Sequence, residues 1–310
     1  MNQFMIGQYG SYDEKKHKRD FRPDFLGVEA CMMQSNEDIE KLCYLKDQEG
    51  VRIGIHFPLR SGQWDHRDPQ YLSNDQATRR LSYCYMEKEF HYAAAIKPDY
   101  VLVHYPKPVV LDSHVDWMGW NWKFGHPSEY VFSTDLKESK FRDRSKAFFE
   151  WFSTMAQRLD FRPVIELDAI PLYLSGSDFF FDLLDQYPDI EVCVDIGRLH
   201  LQDSIDQEFD AFQFLERILP WVREVHLWNV QVTDRVANGH YPALPGLAPE
   251  DGWADIQRYF AILRKAKTPL RILFEHDSTK ISDTELDDCY RWIQDLMSNG
   301  EKRFGIKGNL

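Results

Sequence analysis

Short apolar runs alternate with longer amphipathic stretches along most of this chain, a period-2 pattern giving way repeatedly to a 3.6-residue one. FMIGQYG (4–10), FLGVEACMM (25–33), VRIGIHFPL, DYVLVHYP, RPVIELDA, EVCVDIG, REVHLWNV and LRILFEHD predict eight strands in order. Helices are predicted over 37–49, over 74–96 with Asn74 as cap and Lys97-Pro98 as stop, and over 137–159, 177–187 and 206–219. GWADIQRYFAILRKAK and DTELDDCYRWIQDLM complete the set, while the charged segment DEKKHKRD is expected to be a solvated loop. Strands alternating with helices, and no Gly/Ser-rich or Pro-rich linker between them, predict an α/β chain folded as one (β/α)8 TIM barrel. That barrel spans 1–297, and the tail 298–310 has no clear period.

Six of the apolar runs end in a residue able to bind a metal: His56, His104, Glu166, Asp195, His226 and Glu275. In a barrel of parallel strands the active site lies at the C-terminal strand ends, so these six residues face one another across its mouth. A single acid or histidine at a strand end is equally explained as a cap or a hydrogen-bonded loop anchor. Glu166, Asp195, His226 and Glu275 close four consecutive strands, and chance convergence of all four is a poor explanation. Mixed oxygen and nitrogen donors suit one divalent ion, Mn, Mg, Co, Zn or Fe, better than a thiophilic one.

Two connections are longer than a barrel requires. Residues 107–135 carry Trp117, Trp120, Trp122, Phe124 and His126, and 231–250 run QVTDRVANGHYPALPGLAPE. Long connections without their own period are usually functional or disordered. Trp122 and His240 are therefore candidate substrate contacts, and the Trp-rich loop reads either as a lid or as a contact with a second copy of the chain in a homo-oligomer.

Composition narrows the chemistry further. The net charge of -13, from 37 basic and 50 acidic residues, makes nucleic acid a costly partner and favours a small substrate. The five cysteines are far apart, with no C-x-x-C pair, which argues against a disulfide framework and a thiolate zinc site. No apolar stretch is long enough to span a membrane, and the expected location is the cytoplasm.

Taken in order, VIELD, VCVDIG, EVHLWN, HYPALPG and ILFEHD resemble the xylose-isomerase-like TIM barrels, a group that includes sugar and sugar-phosphate isomerases and epimerases and endonucleases of the endonuclease IV type. The resemblance runs from about Val51 to Asp277. It implies that Glu166 and Glu275 bind the metal and act as acid and base on opposite faces of a sugar, and that Asp195 and His226 complete the coordination. His56 and His104 match positions that contact substrate in mononuclear members and ligate extra zinc in the endonucleases.

The departures favour the isomerases. Arg198 stands where the endonuclease pattern has a histidine, and Asp234 with an isolated His240 replaces an Asp-x-His, so a trinuclear cluster would lack ligands. A guanidinium cannot bind a metal but pairs well with phosphate or carboxylate, which makes Arg198 a candidate contact for an anionic substrate. The expected function is a metal-dependent isomerase or epimerase acting on a sugar or sugar phosphate through an enediolate. The alternatives are a metal-dependent phosphodiesterase acting on damaged DNA, and a barrel that binds metal and sugar without turnover.

Overall fold

A computed structural model describes residues 3–117 and 127–298. Eight parallel strands close into a barrel: β1 (Phe4–Tyr9), β2 (Gly27–Cys31), β3 (Arg52–His56), β4 (Tyr100–Tyr105), β5 (Arg162–Leu167), β6 (Glu191–Asp195), β7 (Val222–Leu227) and β8 (Arg271–Phe274). Each strand pairs with its neighbours in sequence, and β1 closes on β8. Among the described residues no helix is long and apolar enough to cross a membrane.

The pleat sorts the side chains. Along β4, Val101, Val103 and Tyr105 join the large core between barrel and helices, whereas Tyr100 and Leu102 pack inside the barrel with Met5, Val164, Cys193 and Leu273. Residues two apart share a face, so the inward row of β4 continues to His104, that of β5 from Val164 to Glu166, and that of β6 from Cys193 to Asp195. Register then aligns the polar ends, His104 opposite Glu166 and Asp195 opposite His226. Gly54 of β3 leaves room for Tyr100, since a Cβ there would fall 2.2 Å from its ring.

Several expectations are corrected. DEKKHKRD is not a loop but lies largely in a helix, Glu14–Asp20. Asp13 caps it by accepting from the backbone N–H groups of Lys15 and Lys16, with acid in its first turn and base in its last. The cap of the helix Gln76–Ala94 is Asp75, not Asn74, whose amide instead donates to the carbonyl of Asp135. A helix not foreseen, Ile196–Ile205, follows β6 directly, and the one expected over 206–219 is confined to Ala211–Ile218. Both long connections contain strands: Val109–Leu111 pairs with Tyr130–Phe132, and Asn229–Val232 forms a hairpin with Val236–Tyr241. Trp120, Trp122, Phe124 and His126 lie outside the described residues, as does the tail beyond Ser298.

Candidate metal centre

Five of the six strand-end residues, His56, His104, Glu166, Asp195 and His226, are buried, and Glu275 is nearly so, its side chain 11% exposed. Nδ1 of His226 lies 3.3 Å from Oε2 of Glu275 and 3.6 Å from Oε1 of Glu166. All three atoms are buried without an aligned hydrogen-bond partner. Leaving such groups unpaired is costly, and a divalent cation bound about 2.0–2.2 Å from oxygen and nitrogen donors would satisfy them together. Glu166, Asp195 and His226 each offer a ligand atom within 4.8 Å of the others. The residues present therefore fit a divalent ion.

The four donors do not stand alike. Asp195 already accepts at both oxygens, Oδ1 from the backbone N–H of Arg198 at 2.9 Å and Oδ2 from Trp228 Nε1 at 2.9 Å and Arg198 Nε at 3.0 Å. Burial, with Glu275 and Glu166 nearby, pushes its carboxyl well above the usual range. Burial also tends to raise Glu166, but Arg198, His226 and His104 hold it well below. Glu275 is lowered to about 2, its burial outweighed by His226. His226 itself is held well above its ordinary value, because Cys193, Glu29, Glu166 and Glu275 overcome its burial. Around Asp195 and His226 the neighbouring acids outweigh the cations.

His56 and His104 converge on one oxygen, with Nε2 of each 3.1 Å from Oε2 of Glu166. Their environments separate them. Burial tends to lower both, yet His56 is raised to about 10 by Cys31 and Glu166, while His104 falls to about 4 despite Asp68 and Glu166. His240, exposed on the hairpin, stacks on Trp228 with centroids 4.2 Å apart, and its Nδ1 is 3.2 Å from the carbonyl of Glu275. Arg198 is buried, its guanidinium against Glu166, Asp168 and Asp195.

Several residues were not anticipated. Asp68 and Asp168 flank Lys107, whose Nζ lies 2.8 and 2.6 Å from them, and Asp68 also meets Nδ1 of His104 at 2.9 Å. Asp68, His104 and Asp168 have metal-ligand spacing, but an ammonium lies against both acids. Inside the barrel, Tyr100 lies 2.8 Å from Glu29 and 2.5 Å from Glu224, and Arg271 pairs with Glu224. Three of these acids had a sequence signal: Glu29 interrupts an apolar strand, Glu224 precedes His226 by two, and Asp168 follows Glu166 by two. Asp68, Lys107 and Arg67 sit in loops whose pattern marks no face. A surface cavity of about 680 Å³ lies at the other end of the barrel beside Leu26 and Gly50 to Arg52, away from this chemistry.

No protein-family model and no curated protein matches the chain. Solved structures do match. A D-tagatose 3-epimerase-like protein is 13% identical with a TM-score of 0.61, covering 94% of this chain and 98% of its own. L-ribulose 3-epimerase is 12% identical with a TM-score of 0.60, covering 96% and 95%. The E. coli 3-keto-D-glucoside 4-epimerase is 12% identical with a TM-score of 0.58, covering 95% and 99%. The chain has the TIM-barrel fold of these epimerases over nearly its whole length.

Proposed function

We propose that this protein is a divalent-metal-dependent isomerase or epimerase of a sugar or sugar phosphate, working by proton transfer through an enediolate. The observation that carries this reading is the set of three buried ligand atoms without an aligned hydrogen bond, on Glu166, His226 and Glu275, at the mouth of a barrel shared with sugar epimerases. Glu166, Asp195, His226 and Glu275 hold one ion of Mn, Mg, Co, Zn or Fe. When bound, that ion supplies electrophilic stabilisation to adjacent substrate oxygens.

The chain's own groups do the rest. Glu166 and Glu275, both beside Nδ1 of His226, are held ionised and so are able to accept a proton from the carbon beside a carbonyl. His56 and His104 fix the second oxygen of Glu166 and reach the substrate from the side of β3 and β4. His240 and Trp122 are the proposed contacts from the long connections. In this reading Arg198 orients the carboxylates of Glu166, Asp168 and Asp195, because its guanidinium is already committed to them. Lys107 between Asp68 and Asp168 argues against the several metals of an endonuclease site, and the net charge of -13 against DNA docking.

The test joins metal analysis to isotope exchange. Protein purified without added metal is analysed for bound ions, then incubated in deuterium oxide with a panel of ketoses and ketose phosphates. Metal-dependent deuterium incorporation beside the carbonyl, lost in Glu166→Gln and Glu275→Gln, is expected. Cleavage of abasic-site DNA that depends on the same two residues would establish the phosphodiesterase instead, and bound metal and sugar with no exchange would establish a binding protein.

A further inference from the structure

Arg67 stands apart from the other cations at the mouth of the barrel. Lys107 and Arg198 are buried and spent on carboxylates. Arg67 is exposed, on the connection between β3 and the helix Gln76–Ala94, and no carboxylate lies within ion-pair distance of it among the described residues. Its Nη2 lies 3.4 Å from Nε2 of His56. An unpaired guanidinium is unexpected in a chain with 50 acids against 37 bases.

The position of Arg67 is nevertheless built. Its neighbour Asp68 is buried and pinned by His104 and Lys107, and the carbonyl of Asp68 accepts from Gln70 at 2.7 Å. On its other side, His66 meets Ser128 at 3.2 Å. The loop therefore presents Arg67 beside His56, whose Nε2 is 3.1 Å from Glu166. The nearby acids are engaged elsewhere: Oδ2 of Asp68 by His104 and Lys107, Oε2 of Glu166 by His56 and His104, and Oε1 of Glu166 by Arg198.

We infer that Arg67 is the anion-binding element of the site, and that the substrate is a sugar derivative carrying a phosphate or carboxylate away from the carbon that exchanges its proton. The inference rests on the isomerase reading and specifies its substrate class. A guanidinium offers two parallel N–H donors to either anion, a geometry that an ammonium cannot reproduce. It also moves the anion contact expected at Arg198 to a residue that is accessible.

Calorimetry on the metal-loaded full-length protein tests this with D-fructose, D-fructose 6-phosphate, D-gluconate and inorganic phosphate as probes. The phosphate ester or the aldonate is expected to bind roughly tenfold or more tightly than D-fructose, with Arg67→Ala abolishing the preference and Arg67→Lys keeping part of it. Which of the two binds distinguishes phosphate from carboxylate. Equal binding of neutral and anionic probes, an unchanged preference in Arg67→Ala, or no binding of any anionic probe overturns the inference. Circular dichroism of each variant ensures that loss of binding is not loss of fold. Deuterium exchange into neutral ketoses by a wild-type protein without anion preference leaves the isomerase reading standing and removes this one. Arg67-dependent anion binding with no exchange into any sugar does the reverse.

Discussion

Oε2 of Glu29 lies 3.4 Å from Nε2 of His226, on the edge of the ring opposite to the Nδ1 that faces Glu166 and Glu275. Both side chains are fully buried. A carboxylate behind a ligating imidazole fixes the ring's orientation and its tautomer, leaving the other nitrogen free to donate its lone pair. Glu29 is itself held by Tyr9 at 2.9 Å and Tyr100 at 2.8 Å. Glu29→Gln is therefore expected to weaken divalent-ion binding roughly tenfold or more, measured by titrating metal into stripped protein. A folded variant with unchanged metal affinity would remove Glu29 from any orienting role.

Glu275→Gln should end turnover while leaving the barrel intact, because it removes charge and basicity at nearly constant volume. Loss of one ligand also lowers metal affinity, so deuterium exchange is read at saturating metal. The expected loss is on the order of a hundredfold or more, the usual worth of a positioned base. Wild-type exchange in the variant would exclude Glu275 as base.

The barrel and the convergence of Glu166, Asp195, His226 and Glu275 were legible for one reason: in a parallel strand the chemistry sits at the C-terminal end of an apolar run, and His226 or Glu275 closes such a run visibly. The helix Glu14–Asp20 was not, because its sequence is nearly all charged and its stability comes from the Asp13 cap and from Arg19, which donates to the carbonyls of Ser278 and Ile281. Those partners are more than 250 residues away. Asp68 and Lys107 were hidden for a similar reason: they meet only because two loops fold over His104. The role expected of Arg198 was judged from its chemistry alone, and sequence order could not reveal that Asp168 and Asp195 would both be within its reach.

Gly197 offers a test of the support beneath Asp195. A Cβ at that position would lie 2.3 Å from the ring of Trp228, whose indole N–H donates to Asp195. Gly197→Ala must push the indole away from Asp195, on which His240 also depends through its stacking on Trp228. Overpacking of this kind typically costs about 1–3 kcal/mol. A lower melting temperature together with weaker metal binding is expected, and a variant matching the wild type in both would mean that the indole moves without consequence.

Inside the barrel, one hydroxyl of Tyr100 faces two carboxylates, 2.8 Å from Glu29 and 2.5 Å from Glu224. It can donate its proton to only one of them. The contacts are satisfied if Glu224 keeps its own proton and donates to Tyr100, while Tyr100 donates to an ionised Glu29. The shifts agree in direction: burial raises Glu224 to about 7 against the pull of Arg271, whereas Glu29 is lowered because His226 and Tyr100 offset its burial. A carboxyl with a higher pKa in the folded than in the unfolded state binds its proton more tightly when folded. Its contribution to stability is fully present below the unfolded value near 4.5 and is lost as pH rises through about 7. Glu224→Gln carries a permanent donor at the same place and escapes this loss. Between about pH 5 and about pH 8 the melting temperature of the wild-type protein should therefore fall relative to that of Glu224→Gln. Other titrating groups are common to both proteins and cancel in the comparison, so parallel melting curves across that range would show that Glu224 does not hold the shared proton.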